Sequence, residues 1–348
     1  MEPLAPNRIH SVDCLRGIAA LSVCLGHFTN ANIQIPGDSV VRTVGAYGWL
    51  GVQVFFVISG FIIPYALHRA GYATKQYGRF LLKRVVRLDP PYVVTILVII
   101  PLGYIAAQVP AFQGPPFRVS APQLLLHIAY LNAFFGYEWL NPIFWTLAIE
   151  FQYYLAVGLL FPMIAHKRLS VRCGLFAVLG VLTFLSPEKR FLFHWLPLFM
   201  MGMLAFQLHA NLVARWTFLF GLGLLAGWAG YMLDPVIAGV GVITASIIAF
   251  ARLNNRILLF LGTISYSLYL IHIPVGLKAV NFGARYVSGT LGTIMMLLVA
   301  LAFTLTAAYL LCVWVEKPAQ GWSAAIKYQR GCRKERAIAR FTRQETQG

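Results

Sequence analysis

Long apolar runs separated by short polar segments make up nearly the whole chain. Ten of these runs are long enough, or nearly so, to cross a hydrocarbon layer of about 30 Å as α-helices. They are residues 12–31, 49–67, 91–109, 142–164, 171–185, 191–207, 213–232, 235–251, 257–275 and 292–315. The pattern predicts an all-α, polytopic membrane helix bundle of about ten transmembrane helices.

The polar segments divide the chain further. Residues 69–90 are basic, and residues 110–141 form the longest loop, in which QLLLHIAYLNAFF (123–135) is patterned like a helix that lies on the membrane surface or dips into it. We predict one transmembrane domain, residues 1–320, followed by a basic cytoplasmic tail, residues 321–348. From Lys327 to Arg343 the tail has the charge of a surface helix or a disordered arm that touches anionic lipids.

The composition excludes a soluble protein. Hydrophobic residues make up 59% of the chain and charged residues only 11%, against about 25% in soluble domains. The net charge of +17 raises the question of nucleic acid, but the cations lie in short loops and the tail. With ten spans, 22 of the 28 lysines and arginines fall on the side of the termini and 6 on the other. This bias predicts that both termini are cytoplasmic, and we expect no nucleic-acid partner.

Cysteines and the N-terminus suggest no special class. The five cysteines are scattered without a CxxC pair, so we expect neither a zinc site nor a disulfide framework. The first apolar run follows a short mixed segment, and we interpret it as a retained first span instead of a cleaved signal.

The first span contains Arg16 near its start and His27 eleven positions later, roughly 16 Å apart along a helix. A histidine inside a membrane segment is costly. It either joins neighbouring helices by a hydrogen bond or acts as a general base, because imidazole titrates near neutral pH.

Glu150 is the only acid deep inside a predicted span, at a depth similar to that of His27. A buried carboxylate must be paired or protonated. It is therefore either one half of a structural pair, or a group that orients the histidine or holds a hydroxyl of a second substrate.

In the basic stretch, Arg79, Lys83 and Arg87 recur every four residues, with Arg84 beside them. On a helix they form one basic stripe. The stripe either attracts anionic lipids or grips a phosphorylated substrate at the cytoplasmic face, since guanidinium groups match phosphate oxygens.

Ser265, Tyr269 and His272 share one face of a helix in the ninth predicted span. Such a polar face inside a membrane lines a cavity or makes a helix contact.

Five stretches together resemble the acyltransferase family 3 of membrane O-acyltransferases. They are DCLRGIAALSVCLGHF (13–28), GVQVFFVISGFII (51–63), RFLLKRVVRLDPPY (79–92), FWTLAIEFQYYL (144–155) and SYSLYLIH (265–272), in the order of the family. The resemblance implies ten spans, a cytoplasmic acyl-CoA donor, by default acetyl-CoA, and O-acylation of a carbohydrate.

The resemblance also implies roles for single residues. The catalytic group would be His27, Glu150 and Arg16. Substrate binding would fall to Arg84 and Arg87 for the donor phosphates, and to Tyr269 and His272. His27 would act as general base or carry the acyl group transiently. No tightly bound cofactor and no metal are expected.

The partners that follow are acyl-CoA, a glycan such as exopolysaccharide or O-antigen, membrane lipids and glycan-assembly machinery, in a bacterial inner membrane. The main alternative is a transporter or flippase of a glycan or lipid intermediate, since transporters also place polar residues at mid-membrane. A structural scaffold and a different membrane acyltransferase superfamily are further alternatives.

Overall fold

The computed structural model describes residues 9–30, 40–108, 117–185 and 188–328, which are helical and contain no β-strand. The helices are α1 (His10–Asn30), α2 (Val40–Gly45), α3 (Leu50–Arg69), α4 (Tyr77–Ala107), α5 (Ala121–Ile128), α6 (Phe144–Ile164), α7 (Leu169–Leu182), α8 (Leu192–His209), α9 (Arg215–Met232), α10 (Pro235–Phe250), α11 (Arg256–Thr263), α12 (Ser265–Ile271), α13 (Lys278–Gly283), α14 (Gly289–Leu311) and α15 (Lys317–Ala325). Two π-helical segments, His272–Leu277 and Cys312–Glu316, interrupt this series.

The predicted all-α architecture is confirmed for the described residues, and its long apolar helices suit a multi-pass membrane protein. In the described part of the chain, six helical stretches are long and apolar enough to cross a membrane, and a seventh is a bent pair. Helices α7 and α10 are apolar but shorter. Every predicted span overlaps a helix, but the number ten and the cytoplasmic side of the termini stay predictions. Several predicted segments lie outside the described residues, in whole or in part. They are residues 1–8, the last residues of the first and third predicted spans, part of the loop after residue 109 and the tail beyond residue 328.

The third predicted span differs from the structure at its start. We expected the span to begin at Pro91, after a separate basic stretch, but most of the basic stretch and the span form the single 31-residue helix α4, with Pro90 and Pro91 inside it. Proline is tolerated inside membrane helices because neighbouring helices restore the lost backbone interactions. The basic residues of α4 are thereby fixed rigidly to the bundle.

The ninth predicted span is broken. Helices α11 and α12 meet at an angle of 59°, and α12 continues directly into the first π segment, which begins at His272.

The predicted boundary between the transmembrane domain and the tail, at residue 320, does not coincide with the end of a helix, since α15 continues to Ala325. The division of the chain at that residue stays a prediction.

Helices α3 and α8 pack with their backbones close together. At Gly60 of α3, an added Cβ atom would overlap the carbonyl oxygen of Phe199, and at Gly202 of α8 it would overlap that of Val57. Small residues allow membrane helices to approach this closely. The pair α3–α8 therefore forms the centre of the bundle, and α1 and α6 pack beside α3.

The segment QLLLHIAYLNAFF, expected to be a helix that lies on the membrane surface or dips into it, forms most of α5 and a short 3₁₀ turn, Asn132–Phe134. His127, in the last turn of α5, is fully buried. The backbone N–H of Leu140 donates to Nε2 of His127 (3.2 Å), so the ring proton is on Nδ1 and donates to the hydroxyl of Tyr92 (3.0 Å). Burial lowers the pKa of His127 to about 4. This loop is therefore tied to α4 by a neutral histidine.

Candidate active site

Three arginines and one acid converge on a cavity of about 140 Å³ inside the bundle. Arg16 comes from α1, Arg84 and Arg87 from α4, and Glu150 from α6. Other residues that line the cavity include Phe55, Ile62, Leu88, Thr146, Tyr154, Ser265, Tyr266 and Tyr269. Three cations face one carboxylate, so the cavity carries excess positive charge and suits an anionic ligand.

Arg16 is held at the cavity by α12. Its Nε donates to the hydroxyl of Ser265 (3.2 Å), which in turn donates to the carbonyl of Gly262 (2.8 Å). The structure therefore brings together the arginine of the first span and the first residue of the SYSLYLIH stretch, 249 positions apart in sequence.

Arg84 has free hydrogen-bonding capacity. Its guanidinium lies over the rings of Phe80 (5.4 Å) and Tyr154 (5.7 Å), and its buried Nε has no hydrogen-bond partner among the described residues. A buried donor without a partner is unfavourable unless a ligand supplies an acceptor. The guanidinium of Arg84 thus lacks one hydrogen-bond acceptor among the described residues.

A second, larger pocket of about 600 Å³ adjoins the cavity. It also contains Arg84 and Arg87, and its other lining residues include Lys83 and Lys327. Because both pockets share the two arginines, these side chains separate an open basic pocket from the inner cavity.

The expected basic stripe is divided by its contacts. Arg79 donates to the carbonyl of Tyr328 (2.7 Å), and Lys83 donates to the carbonyls of Ser323 and Ile326 (both 2.7 Å). These two cations bind the C-terminal end of the described chain. Of the four basic residues singled out in the sequence, only Arg84 and Arg87 line the inner cavity.

The two predicted histidines contact each other. Nδ1 of His27 lies 3.3 Å from Nε2 of His272, and the ring centroids are 5.0 Å apart. The partners assign the protons: Nδ1 of His27 contacts the carbonyl of Val23 (2.9 Å), and Nδ1 of His272 contacts that of Tyr269 (2.7 Å). Carbonyls only accept, so both rings carry their proton on Nδ1. Nε2 of His27 then carries a lone pair that no hydrogen bond between described residues uses, and Nε2 of His272 accepts from His27.

Tyr269 lies between the histidines and the cavity. Its ring centroid is 5.8 Å from that of His272, and its hydroxyl is 2.7 Å from that of Thr146. Tyr269 lines the cavity, whereas His27 and His272 are not among the lining residues. The predicted substrate-binding residue Tyr269 thus connects the two parts of the site.

Glu150 is not in hydrogen-bond contact with His27. Among the described residues, its Oε1 accepts a hydrogen bond from Ser59 (2.8 Å), while His27 bonds to Val23 and His272. The structure therefore orients His27 through His272. Glu150 lies in the cavity, beside the arginines, and its predicted catalytic role stays a prediction.

The structure buries an acid that the sequence did not single out, Glu316. Glu316, with 4% of its surface exposed, ends the second π segment and accepts a hydrogen bond from Ser267 of α12 (2.6 Å) and from Gln320 (3.0 Å). Glu316 lies one residue beyond the predicted span 292–315, where an acid normally faces water. The helix instead continues to Ala325, so Glu316 lies inside a longer helical stretch.

The family of the chain follows from comparison with known proteins. A family model described as an acyltransferase domain, that of acyltransferase family 3, matches residues 9–313. The chain belongs to this family. The resemblance predicted from the sequence is thereby confirmed, and so is the prediction that the chain is an enzyme of the acyltransferase class.

The relatives carry acyl-transfer names. The chain is 26% identical over 286 residues to a putative acetyltransferase, ORF330, of Acidianus two-tailed virus, covering 74% of this chain and 81% of that one. It is 24% identical over 330 residues to the acyltransferase MdmB of Streptomyces mycarofaciens, covering 82% of each. It is 26% identical over 170 residues to the O-acetyltransferase OatA of Staphylococcus aureus, covering 47% of this chain and 26% of OatA. These names support the predicted O-acetyltransferase class. No solved structure matches the chain significantly.

Proposed function

We propose that this family member transfers an acyl group, by default acetyl, from acyl-CoA to a hydroxyl of a carbohydrate, in a bacterial inner membrane. The observation that carries the proposal is the pair of adjoining pockets that share Arg84 and Arg87. Acyl-CoA is a long molecule with phosphates at one end and a thioester at the other. An open basic pocket followed by a narrow inner cavity suits that shape.

The donor end of the proposal rests on charge. The phosphates would lie in the larger pocket, where Arg84 offers a buried Nε without a partner among the described residues and Arg87 lies beside it. One guanidinium group can donate two parallel hydrogen bonds to the oxygens of a phosphate, and it remains charged at neutral pH. The acyl end would extend past these arginines toward Tyr269.

The chemical step rests on the histidine pair. Nε2 of His27 carries a lone pair that no described residue engages, so it can take the proton of the acceptor hydroxyl as the oxygen attacks the thioester carbon. The carbon–sulfur bond then breaks, and His27 returns the proton to the departing sulfur. His272 accepts a hydrogen bond from Nδ1–H of His27 and would stabilise the cation that forms in between.

The acceptor class comes from the family resemblance and from the half-buried position of His27 near the end of α1. A glycan, such as an exopolysaccharide or O-antigen, would approach His27 from that end of the bundle, while the donor enters from the opposite end. Glycan-assembly machinery would then deliver the acceptor.

The test uses membranes that contain the wild type or His27→Ala, incubated with radiolabelled acetyl-CoA and a total cell-envelope glycan extract. We expect alkali-labile label in the glycan with the wild type and none with His27→Ala. Arg79→Gln is the matched control, because Arg79 is basic and on α4 but binds the C-terminal segment. Equal labelling by His27→Ala in folded protein contradicts the assignment of His27. No labelling with any acyl donor favours the transporter alternative, in which the substrate leaves unchanged.

A further inference from the structure

An apolar groove that shares no lining residue with the inner cavity is not used by the proposed reaction. It has a volume of about 560 Å³ and is formed by α7, α8 and α9. It extends from Arg172, in the first turn of α7, to Phe184 and Trp228, whose rings meet edge to face (5.1 Å). The ten residue steps from Arg172 to the end of α7 at Leu182 correspond to about 15 Å of helix, and Phe184 follows two positions later. The groove thus has the length of a lipid acyl chain.

The outer wall of the groove faces the surroundings of the bundle. Val181, Phe220 and Leu224 line it and are 65%, 71% and 61% exposed, respectively. In a membrane helix such residues contact lipid. The groove is therefore open sideways to the hydrocarbon layer and closed inward by α8.

The buried cation of the groove has no counter-ion among the described residues. Arg172 is 3% exposed, and its two terminal nitrogens donate to the carbonyls of His166, Lys167 and Leu212. The Nε of Arg172 has no hydrogen-bond partner among the described residues. A guanidinium has five N–H groups, so these bonds leave two of them unused. An unbalanced charge in a membrane segment calls for an anion.

The surrounding charge has the same sign. The sequence has no Asp or Glu from residue 151 to residue 187 or from residue 191 to residue 233. The exposed Lys167, Arg168 and Arg215 lie at the ends of the helices that surround Arg172. Basic pockets between membrane helices bind the head groups of anionic lipids.

We propose that this groove binds one acyl chain of an anionic phospholipid, whose phosphate lies at the Arg172 end. The apolar groove provides the site for the chain, and the cluster of Arg172, Lys167, Arg168 and Arg215 provides the charge that selects an anionic head group. A zwitterionic phospholipid with the same chains fits the groove equally well but brings a positive group into a basic cluster.

Two glycines of α7 allow a matched test. Gly180 lines the groove and Gly174 does not, and an added Cβ atom meets nothing within 4 Å at either position. Gly180→Leu fills the groove, while Gly174→Leu makes the same chemical change on the same helix outside it. Both substitutions raise helix propensity equally, so a difference between them reports on the groove.

The experiment adds phosphatidylglycerol, phosphatidylcholine with the same chains, or inorganic phosphate to detergent-purified, delipidated protein. Native mass spectrometry measures retained lipid, and the melting temperature reports stabilisation by a bound ligand. We expect one phosphatidylglycerol retained at least tenfold more tightly than phosphatidylcholine, and no effect of phosphate. Gly180→Leu should lose this retention and Gly174→Leu should keep it.

Any one of four results overturns the proposal. Equal retention of both lipids shows that the head-group charge is not recognised. An equal effect of inorganic phosphate shows that the groove takes no part. Unchanged retention by Gly180→Leu places the lipid elsewhere. Arg172→Gln is a second variant, expected to weaken phosphatidylglycerol binding, and folded protein with unchanged binding also contradicts the proposal.

Discussion

Nδ1 of His27 lies 3.3 Å from Nε2 of His272, so two histidines 245 residues apart in sequence form one hydrogen-bonded pair. Eleven residues earlier on α1, Arg16 contacts Ser265 at the start of α12. These two contacts show that α1 and the segment from Ser265 to His272 run side by side in the same direction. Arg16 and His27 of α1 therefore form one site with the polar face of the ninth predicted span.

If His272 orients His27, its replacement lowers turnover without weakening donor binding. A hydrogen bond to a charged group contributes about 1.5–3 kcal/mol, which corresponds to roughly a 10- to 100-fold loss of kcat for His272→Phe. His272→Gln retains an acceptor and should recover part of the activity. Steady-state kinetics with varied acyl-CoA checks both kcat and KM. A His272→Phe enzyme with normal kcat contradicts the orienting role.

Arg84→Met should weaken donor binding by roughly 10- to 100-fold, because the variant loses a charged, hydrogen-bonding group at the boundary of the two pockets. The KM for acyl-CoA, or the Kd for a non-reactive analogue, measures this loss. Arg79→Gln removes a nearby cation that donates to the backbone carbonyl of Tyr328 instead, and its KM should stay unchanged. Equal effects of both variants would mean that only the overall charge matters.

The contact between Ser267 and Glu316 joins α12 to the second π segment (2.6 Å). Ser267→Ala leaves a buried carboxylate short of a donor, which costs about 1–3 kcal/mol of stability. The double variant Ser267→Ala with Glu316→Leu removes both partners and should lose less than the sum of the two single changes. Apparent melting temperatures in detergent measure this, with Thr306→Ala on the exposed side of α14 as control. Strictly additive losses would show that the two residues do not act together.

The buried His127 predicts a stability that depends on pH. Its folded-state pKa of about 4 lies below the ordinary value of 6.5, so between these values the unfolded chain binds the proton and the folded chain does not. Stability is therefore fully present above about pH 6.5 and falls as the pH drops toward 4, by at most about 3 kcal/mol. Melting temperatures from pH 7.5 to 4.5 check this. His127→Gln should be less stable at neutral pH and show a flatter pH profile; an equally steep profile would assign the effect to other groups.

Much of the fold could be predicted because membrane helices must satisfy their backbone hydrogen bonds internally and need long apolar runs. Those constraints are local, and they place a helix at each predicted span. The same local pattern singled out Arg16, His27, Glu150 and His272, since polar residues are conspicuous in an apolar background.

The sequence does not predict which side chains those residues contact. Glu150 bonds to Ser59 and His27 to His272, where the sequence favoured a contact between Glu150 and His27 at similar depth. Depth along a helix follows from counting residues, but rotation about the axis and the choice of neighbour depend on packing. The bend between α11 and α12 and the π segments turn side chains in ways that an ideal helix does not describe.

By itself, the sequence determined the helical class, the approximate extent of the helices and the polar residues that interrupt them. Only the tertiary structure decided that Arg84 and Arg87 line two adjoining pockets, that His272 contacts His27, and that Glu316 is buried. The physical reason is range: helix formation and hydrophobicity act between residues close in sequence, whereas a cavity is formed by side chains from helices far apart in the chain.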